Sequence, residues 1–130
     1  MIRRILLIDD DRNNADLLAL ILEREGAKVC VKYSGKTALE ALEDFDPDLA
    51  IIDIGMEEMD GCELAKYFRQ HEKIKHMPLI ALTGYGGPKD KSRIKNAGFD
   101  LHLIKPINAK LISQILTYGV NSVETNPKDN

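Results

Sequence analysis

Short apolar runs and amphipathic stretches alternate along this chain. Ile5, Leu6, Leu7 and Ile8 form the first run, which stops at Asp9-Asp10-Asp11. Leu49, Ala50, Ile51 and Ile52 form another, preceded by Asp46-Pro47 and followed by Asp53 and Gly55. Runs this short, apolar at every position, predict strands buried on both faces. Similar segments at about 27–31, 79–82 and 100–104 predict three more strands. Between them the apolar residues fall at helical spacing. Leu17, Leu18, Ile21 and Leu22 predict a helix over about 13–25, stopped by Gly26. Ser34 can cap a second helix, with Ala38, Ala41, Leu42 and Phe45 at i, i+3, i+4 and i+7. Leu64, Ala65 and Phe68 mark a third over 61–70. A Lys-rich fourth, over 88–97, offers the core little beyond Ile94 and Ala97. Leu111, Ile112, Ile115 and Leu116 mark the last, over about 108–118. A polar tail, 121–130, follows and is expected to fray.

The alternation repeats five times with no break in composition, so it calls for one α/β domain. The expected architecture is a doubly wound, five-stranded parallel sheet with right-handed crossovers and five helices on its two faces.

Composition narrows the function classes. The chain has 130 residues, 44% hydrophobic and 30% charged, the usual size for one domain with one core. Its net charge of −3 is too mild to argue for nucleic acid or a membrane surface. Cys30 and Cys62 lack metal-type spacing and read as reduced thiols of a cytosolic protein. The apolar run at the N-terminus is too short for a signal peptide, and no other stretch is long enough to cross a bilayer. A cytoplasmic location is the expectation.

Chemistry enters at the ends of the apolar runs. The first strand ends in Asp9, Asp10 and Asp11, the third in Asp53, the fourth in Thr83 and the fifth in Lys105. The second ends in Lys32, which the pattern does not single out. In open α/β sheets ligands bind outside the carboxyl ends of the strands. With the first strand central and the third beside it, Asp9, Asp10 and Asp53 stand within several Å of one another. Carboxylates so placed raise one another's pKa values unless something neutralises them. A hard divalent cation with oxygen ligands does so, Mg²⁺ being the common one. A carboxylate can also attack phosphorus to give an acyl phosphate, whose oxygens then need a cation, a hydroxyl or amide donors. Asp53 is the candidate nucleophile, with Asp9, Asp10, Thr83 and Lys105 around it. Each residue alone has a plainer reading: a loop or N-cap aspartate, a turn threonine, a strand-terminating Lys-Pro. The weight lies in their joint order along the strands.

These residues resemble the receiver domain of two-component response regulators, the chemotaxis-regulator type. Ile5–Asp11 resembles its acidic-pair strand. Pro47–Asp53 with Met59-Asp60-Gly61 resembles its phosphoacceptor strand and loop. Ala81-Leu82-Thr83-Gly84, and Ala97-Gly98-Phe99-Asp100 through Lys105-Pro106, resemble its last two motifs. The resemblance spans about residues 3–120. It implies one receiver domain over 1–120, with 121–130 as tail, and a flavodoxin-like strand order 2-1-3-4-5.

The resemblance also implies a function. Asp53 accepts a phosphoryl group from a sensor histidine kinase or a histidine phosphotransfer domain. Asp9, Asp10, Asp53 and the Gly55 carbonyl hold Mg²⁺, and Thr83 and Lys105 contact the acyl phosphate. Thr83 and the residue three before Lys105 act as the switch, read by a downstream partner on the face made by helix four, strand five and helix five. The chain departs from the family pattern at three places. His102 stands where an aromatic residue is usual, Glu57 follows Met56 where proline is usual, and Gly55 offers no side chain. The run from Leu82 to Tyr85, with His102, is most similar to receivers of hybrid sensor histidine kinases. His102 reads as a half-exposed strand residue rather than a ligand or pH sensor. The basic face of helix four (Lys89, Lys91, Arg93, Lys95) reads as solvated surface.

Three other readings compete with this one. A haloacid-dehalogenase-like phosphatase also uses an Asp nucleophile and Mg²⁺, but Asn13 stands where its Thr is expected and no cap domain is present. A degenerate receiver that only binds partners is expected to lack an acid, the Thr or the Lys, and all are present. A flavodoxin-like cofactor binder wants a Ser/Thr/Gly-rich loop after the first strand, where this chain has aspartates that repel a phosphate.

Overall fold

The computed structural model describes residues 3–56, 58–84 and 88–118. Five strands and five helices alternate: β1 (Arg4–Ile8), α1 (Arg12–Arg24), β2 (Lys28–Lys32), α2 (Gly35–Ala41), β3 (Leu49–Asp53), α3 (Gly61–Gln70), β4 (Leu79–Thr83), α4 (Pro88–Asn96), β5 (Leu101–Ile104) and α5 (Ala109–Thr117). All strand pairs are parallel, in the order β2-β1-β3-β4-β5. The expected fold is therefore the observed one. The tail and Glu57 lie outside the described residues.

The strands divide their side chains between two cores. Leu6, Ile8, Ala50 and Ile52 face one side, where Leu64 and Phe68 of α3 and Ile94 of α4 meet them. Ile5, Leu7, Leu49 and Ile51 face the other, against Leu18 and Leu22 of α1 and Leu111, Ile112 and Ile115 of α5. This is why β1 and β3 read as unbroken apolar runs, since successive residues serve opposite faces. Removing a fully buried ring such as Phe68 costs about 3–5 kcal/mol.

Side-chain caps start the helices. Asp11, Ser34, Asp60 and Asn108 each accept the N–H three residues on, satisfying a donor the helix cannot. Gly26, just past α1, takes φ 103°, a left-handed conformation other residues resist. The second helix is shorter than its apolar spacing predicts. It ends at Ala41, and the chain continues through tightened turns in which Leu42, Glu43 and Asp44 donate to the carbonyls three residues back. Phe45 still reaches the core edge, under the Arg4 guanidinium at 4.4 Å.

The amino-terminal edge of the sheet is closed by Arg69, at the end of α3. Its Nε and Nη2 donate to the Gly98 carbonyl (2.9 and 2.6 Å) and its Nη1 to the carbonyls of Met77 (2.6 Å) and Lys75 (3.1 Å). Nη2 also meets the Asp100 carboxylate at 2.7 Å, and that carboxylate accepts the Leu79 N–H at 2.8 Å. One side chain thus ties α3 to the starts of β4 and β5. Gly98, at φ 103°, is where the chain passes it. A Cβ there would lie 3.0 Å from Arg69 Cγ.

Candidate functional site

The opposite edge gathers the residues that the strand ends predict. Asp9 follows β1 and is 2% exposed, and Asp53 closes β3 at 8%. Asp10 is exposed. One carboxylate oxygen from each of the three lies within 4.8 Å of the others. The cause is the sheet order, because β1 and β3 are direct neighbours with Ile8 beside Ile52. Lys105 enters from beyond β5. Its Nζ stands 3.4 Å from Asp9 Oδ2 and 3.8 Å from Asp53 Oδ1, bridging the two buried acids. Its main-chain N–H donates to the Thr83 carbonyl at 2.8 Å, and its bond to Pro106 is cis. Thr83 ends β4, next to the strand that carries Asp53. Asp9, Asp10, Asp53, Thr83 and Lys105 therefore meet at one edge.

Backbone groups complete the cradle. The Asp11 N–H donates to Asp9 Oδ1 at 3.0 Å, and the Gly55 N–H to Asp53 Oδ1 at 3.4 Å. For Asp53 these contacts do not offset the cost of burial beside Asp9. Burial first, and the Asp9 charge second, push Asp53 up to about 6, against the downward pull of Lys105 and the Gly55 N–H. Such a site is short of positive charge. Its donors are all oxygens with room on the solvent side, so they fit a hard divalent cation of the Mg²⁺ kind. The three carboxylates could hold it, with the Gly55 carbonyl on the same loop.

Some contributors escaped the sequence reading. A Cβ on Gly61 would lie 2.5 Å from the Asp53 carbonyl and 2.9 Å from Ile54 Cα, so only glycine lets α3 begin this close to the site. The signal was the glycine directly after the Asp60 cap. A cleft of about 340 Å³ adjoins Asp10, walled by Tyr33 and Ser34 from the loop after β2, by Lys36 in the first turn of α2 and by Met56 and Met59. Strand two thus contributes its following loop rather than an ionic tip. Tyr33 is held by Asp16 at 2.6 Å and covered by Arg12 at 4.1 Å, pairings no local pattern announces. His102 lies apart from the carboxylates. It sits half-buried on β5 with Nε2 out of solvent and without a hydrogen-bond partner among the described residues. Burial, then the Lys91 charge, lowers its pKa.

A five-stranded 2-1-3-4-5 sheet with an acidic triad, a threonine and a lysine at its carboxyl edge is the arrangement of a receiver-type signalling domain. The chain belongs to the response regulator receiver domain family, whose model matches residues 5–117. It is 42% identical over 104 residues to the 14.6 kDa protein of the sodA1 3′ region of Leptolyngbya boryana, covering 80% of this chain and 79% of that one. It is 29% identical over 119 residues to the polar-differentiation response regulator DivK of Brucella ovis, covering 91% of this chain and 97% of the relative. Among solved structures, the chemotaxis response regulator CheY4 of Vibrio cholerae superposes with a TM-score of 0.82 at 27% identity, over 89% of this chain and 97% of that one. The receiver domain of a signal transduction histidine kinase from Syntrophus aciditrophicus does so at 0.78 and 28%, over 97% and 98%. Family membership removes the phosphatase and flavodoxin readings. Among the described residues no helix is long and apolar enough to cross a membrane.

Proposed function

We propose that this receiver is a Mg²⁺-dependent phosphoryl acceptor and switch, with Asp53 as the acceptor. The observation that carries the reading is the crowding of Asp9, Asp10 and Asp53 within 4.8 Å beside Lys105. The donor is a phosphohistidine on a sensor histidine kinase or a histidine phosphotransfer protein. An Asp53 carboxylate oxygen attacks the phosphorus, the N–P bond breaks, and its electron pair returns to the imidazole. Bound Mg²⁺ supplies positive charge to the phosphoryl oxygens and lets three acids coexist ionised. Lys105, already poised between Asp9 and Asp53, turns its ammonium to the new phosphoryl group. Thr83 offers a hydroxyl from the neighbouring strand end, and the Gly55 N–H orients the attacking carboxylate. Hydrolysis of the acyl phosphate by water resets the switch, so the protein turns over its own modification and no separate substrate. A cytoplasmic location fits that donor. The likeness to hybrid-kinase receivers is consistent with the Syntrophus structure, though the chemotaxis regulator is similar to nearly the same degree.

Intact mass after incubation with Mg²⁺ and acetyl phosphate tests this. The expected result is a gain of one phosphoryl group that disappears in Asp53→Asn and without Mg²⁺. An unchanged mass would leave a receiver that only binds partners, and a gain that survives Asp53→Asn would move the acceptor elsewhere.

A further inference from the structure

An exposed arginine ordinarily has many rotamers to sample. Arg12 is held. It is the first residue of α1, two places past Asp10, and exposed. Its guanidinium lies over the Tyr33 ring at 4.1 Å. The ring is itself fixed, because the Tyr33 hydroxyl donates to Asp16 Oδ1 at 2.6 Å. Asp16 stands one turn along α1 from Arg12, so the clamp closes on itself: α1 holds the ring through Asp16, and the ring holds the guanidinium. Stacking uses the face of a guanidinium and leaves its N–H edge free. Among the described residues Arg12 forms no ion pair, and its guanidinium donates no hydrogen bond. The placement also runs against the helix, since a cation in the first turn is opposed by the macrodipole.

Tyr33 walls the cleft beside Asp10, and Lys36, exposed in the first turn of α2, stands on the same wall. Two cations are thus gathered at the mouth of a site made of acids. Their surroundings give them weight. Residues 3–70 hold sixteen Asp and Glu against nine Lys and Arg. A phosphodonor is an anion, and this half of the chain repels it. Across the cleft from the cations, Glu58 adds to that repulsion. The charges that move Asp53 are those of Asp9 and Lys105, not Arg12, so Arg12 stands outside the acidic site rather than within it.

We propose that the cleft beside Asp10 is the entrance for small anionic phosphodonors of the acyl phosphate class, and that Arg12 and Lys36 steer them through it. This entrance rests on the reading of Asp53 as the acceptor and adds the route by which the donor arrives. In the transfer itself the Asp53 carboxylate attacks phosphorus, the bond from phosphorus to the acyl oxygen breaks, and its electron pair leaves on the released carboxylate. Arg12 and Lys36 take no part in that step. They raise the rate of encounter by drawing the donor in over about a Debye length, roughly 8 Å at physiological salt. The clamp adds direction, because a guanidinium fixed on one wall concentrates positive potential at the cleft mouth, whereas a free one spreads it round the rim.

The experiment measures initial rates of phosphorylation of the full-length protein by intact mass, at saturating Mg²⁺, with acetyl phosphate or phosphoramidate as donor. With acetyl phosphate at low salt, the rate is expected to fall about threefold in Arg12→Gln and about tenfold in Arg12→Glu/Lys36→Glu. Salt at about 0.5 M brings both to within about twofold of the wild type. Phosphoramidate, which carries less negative charge at neutral pH, loses less. Tyr33→Leu keeps both cations but frees the guanidinium, and falls between the wild type and Arg12→Gln. Calorimetric titration of Mg²⁺ excludes a damaged site: charge reversal leaves the affinity unchanged or raises it, since losing cations favours a bound cation. Equal low-salt rates in the wild type and the double variant overturn the proposal. So does a loss that persists in salt, a loss as large with phosphoramidate, or Mg²⁺ binding that weakens in step with the rate. Tyr33→Leu at the wild-type rate removes the clamp from it. A wild type that gains no phosphoryl mass removes the acceptor reading and the entrance with it, whereas a labelled wild type with unaffected variants removes the entrance alone.

Discussion

At the amino-terminal edge of the sheet one arginine makes five hydrogen bonds to four oxygens, while at the carboxyl-terminal edge three carboxylates crowd around one lysine that reaches two of them. Both edges gather charge at strand ends, the first at the starts of β4 and β5 and the second at the ends of β1 and β3. At Arg69 every donor in contact has an acceptor within 3.1 Å, so burial is compensated. At Asp53 the compensation is incomplete, and the shortfall is stored as a proton held to about 6. The first edge fastens the fold, and the second is left in need of a ligand. A receiver requires both, because the waiting site must not unravel the sheet that carries it.

The contrast can be broken most severely at Arg69. Arg69→Ala takes a donor from the carbonyls of Lys75, Met77 and Gly98 and the cation from the partly exposed Asp100 carboxylate, and is expected to cost about 2–3 kcal/mol. Urea unfolding followed by far-UV dichroism reads it. A loss under 1 kcal/mol would mean that the clasp is ornamental and the comparison empty.

Asp53→Asn should have the opposite sign. Asp53 keeps its proton up to about 6 when folded, whereas the unfolded chain releases it near 3.8. Across that window the folded state binds more protons, so stability falls as pH rises, and it stays lowered above pH 6. In metal-free buffer at pH 7.5 the variant is expected to be more stable than the wild type by about 1–3 kcal/mol. The two unfolding curves should converge below pH 4. A destabilised variant at pH 7.5, or a gap that widens on acidification, would contradict the strained-edge account.

Mg²⁺ should narrow that gap. At ten times its dissociation constant it stabilises the wild type by about 1.4 kcal/mol. Asp53→Asn should gain much less, and calorimetry with and without the metal measures the difference. The smallest effect is expected at Arg93, whose ion pair with Asp60 at 3.1 Å is open to solvent on both sides. Arg93→Ala should change stability by less than about 1 kcal/mol and lose even that at 0.5 M salt. A larger loss would reveal a third edge where charge matters to the fold.

The carboxyl edge was far more legible in the sequence than the amino edge. Asp9, Asp53, Thr83 and Lys105 each terminate an apolar run, so strand periodicity alone places them at one rim. Pairing β1 with β3 then brings the acids together. Arg69 carries no such mark. It reads as a basic residue in the last turn of a helix, and its acceptors are main-chain carbonyls that any sequence supplies. The cover of Tyr33 by Arg12 and the seat of Phe45 under Arg4 are hidden for the same reason, since each depends on which loops the sheet order makes neighbours. The early end of α2 was missed because apolar spacing continues through Phe45 in tightened turns that keep nearly the same face.

The division of β1 and β3 between two cores has a consequence for how the chain finds its alignment. A strand apolar on both sides is nearly indifferent to sliding by one residue, because either parity of side chain is welcome on either face. Such strands need an end-stop. Asp53 provides one: drawn one position inward, its carboxylate would enter the hydrocarbon between sheet and helices, away from Lys105 and Gly55. The residue proposed above as the phosphoryl acceptor also keeps the central strands from slipping past one another, and an aliphatic side chain in its place would remove the carboxylate and blur the alignment together.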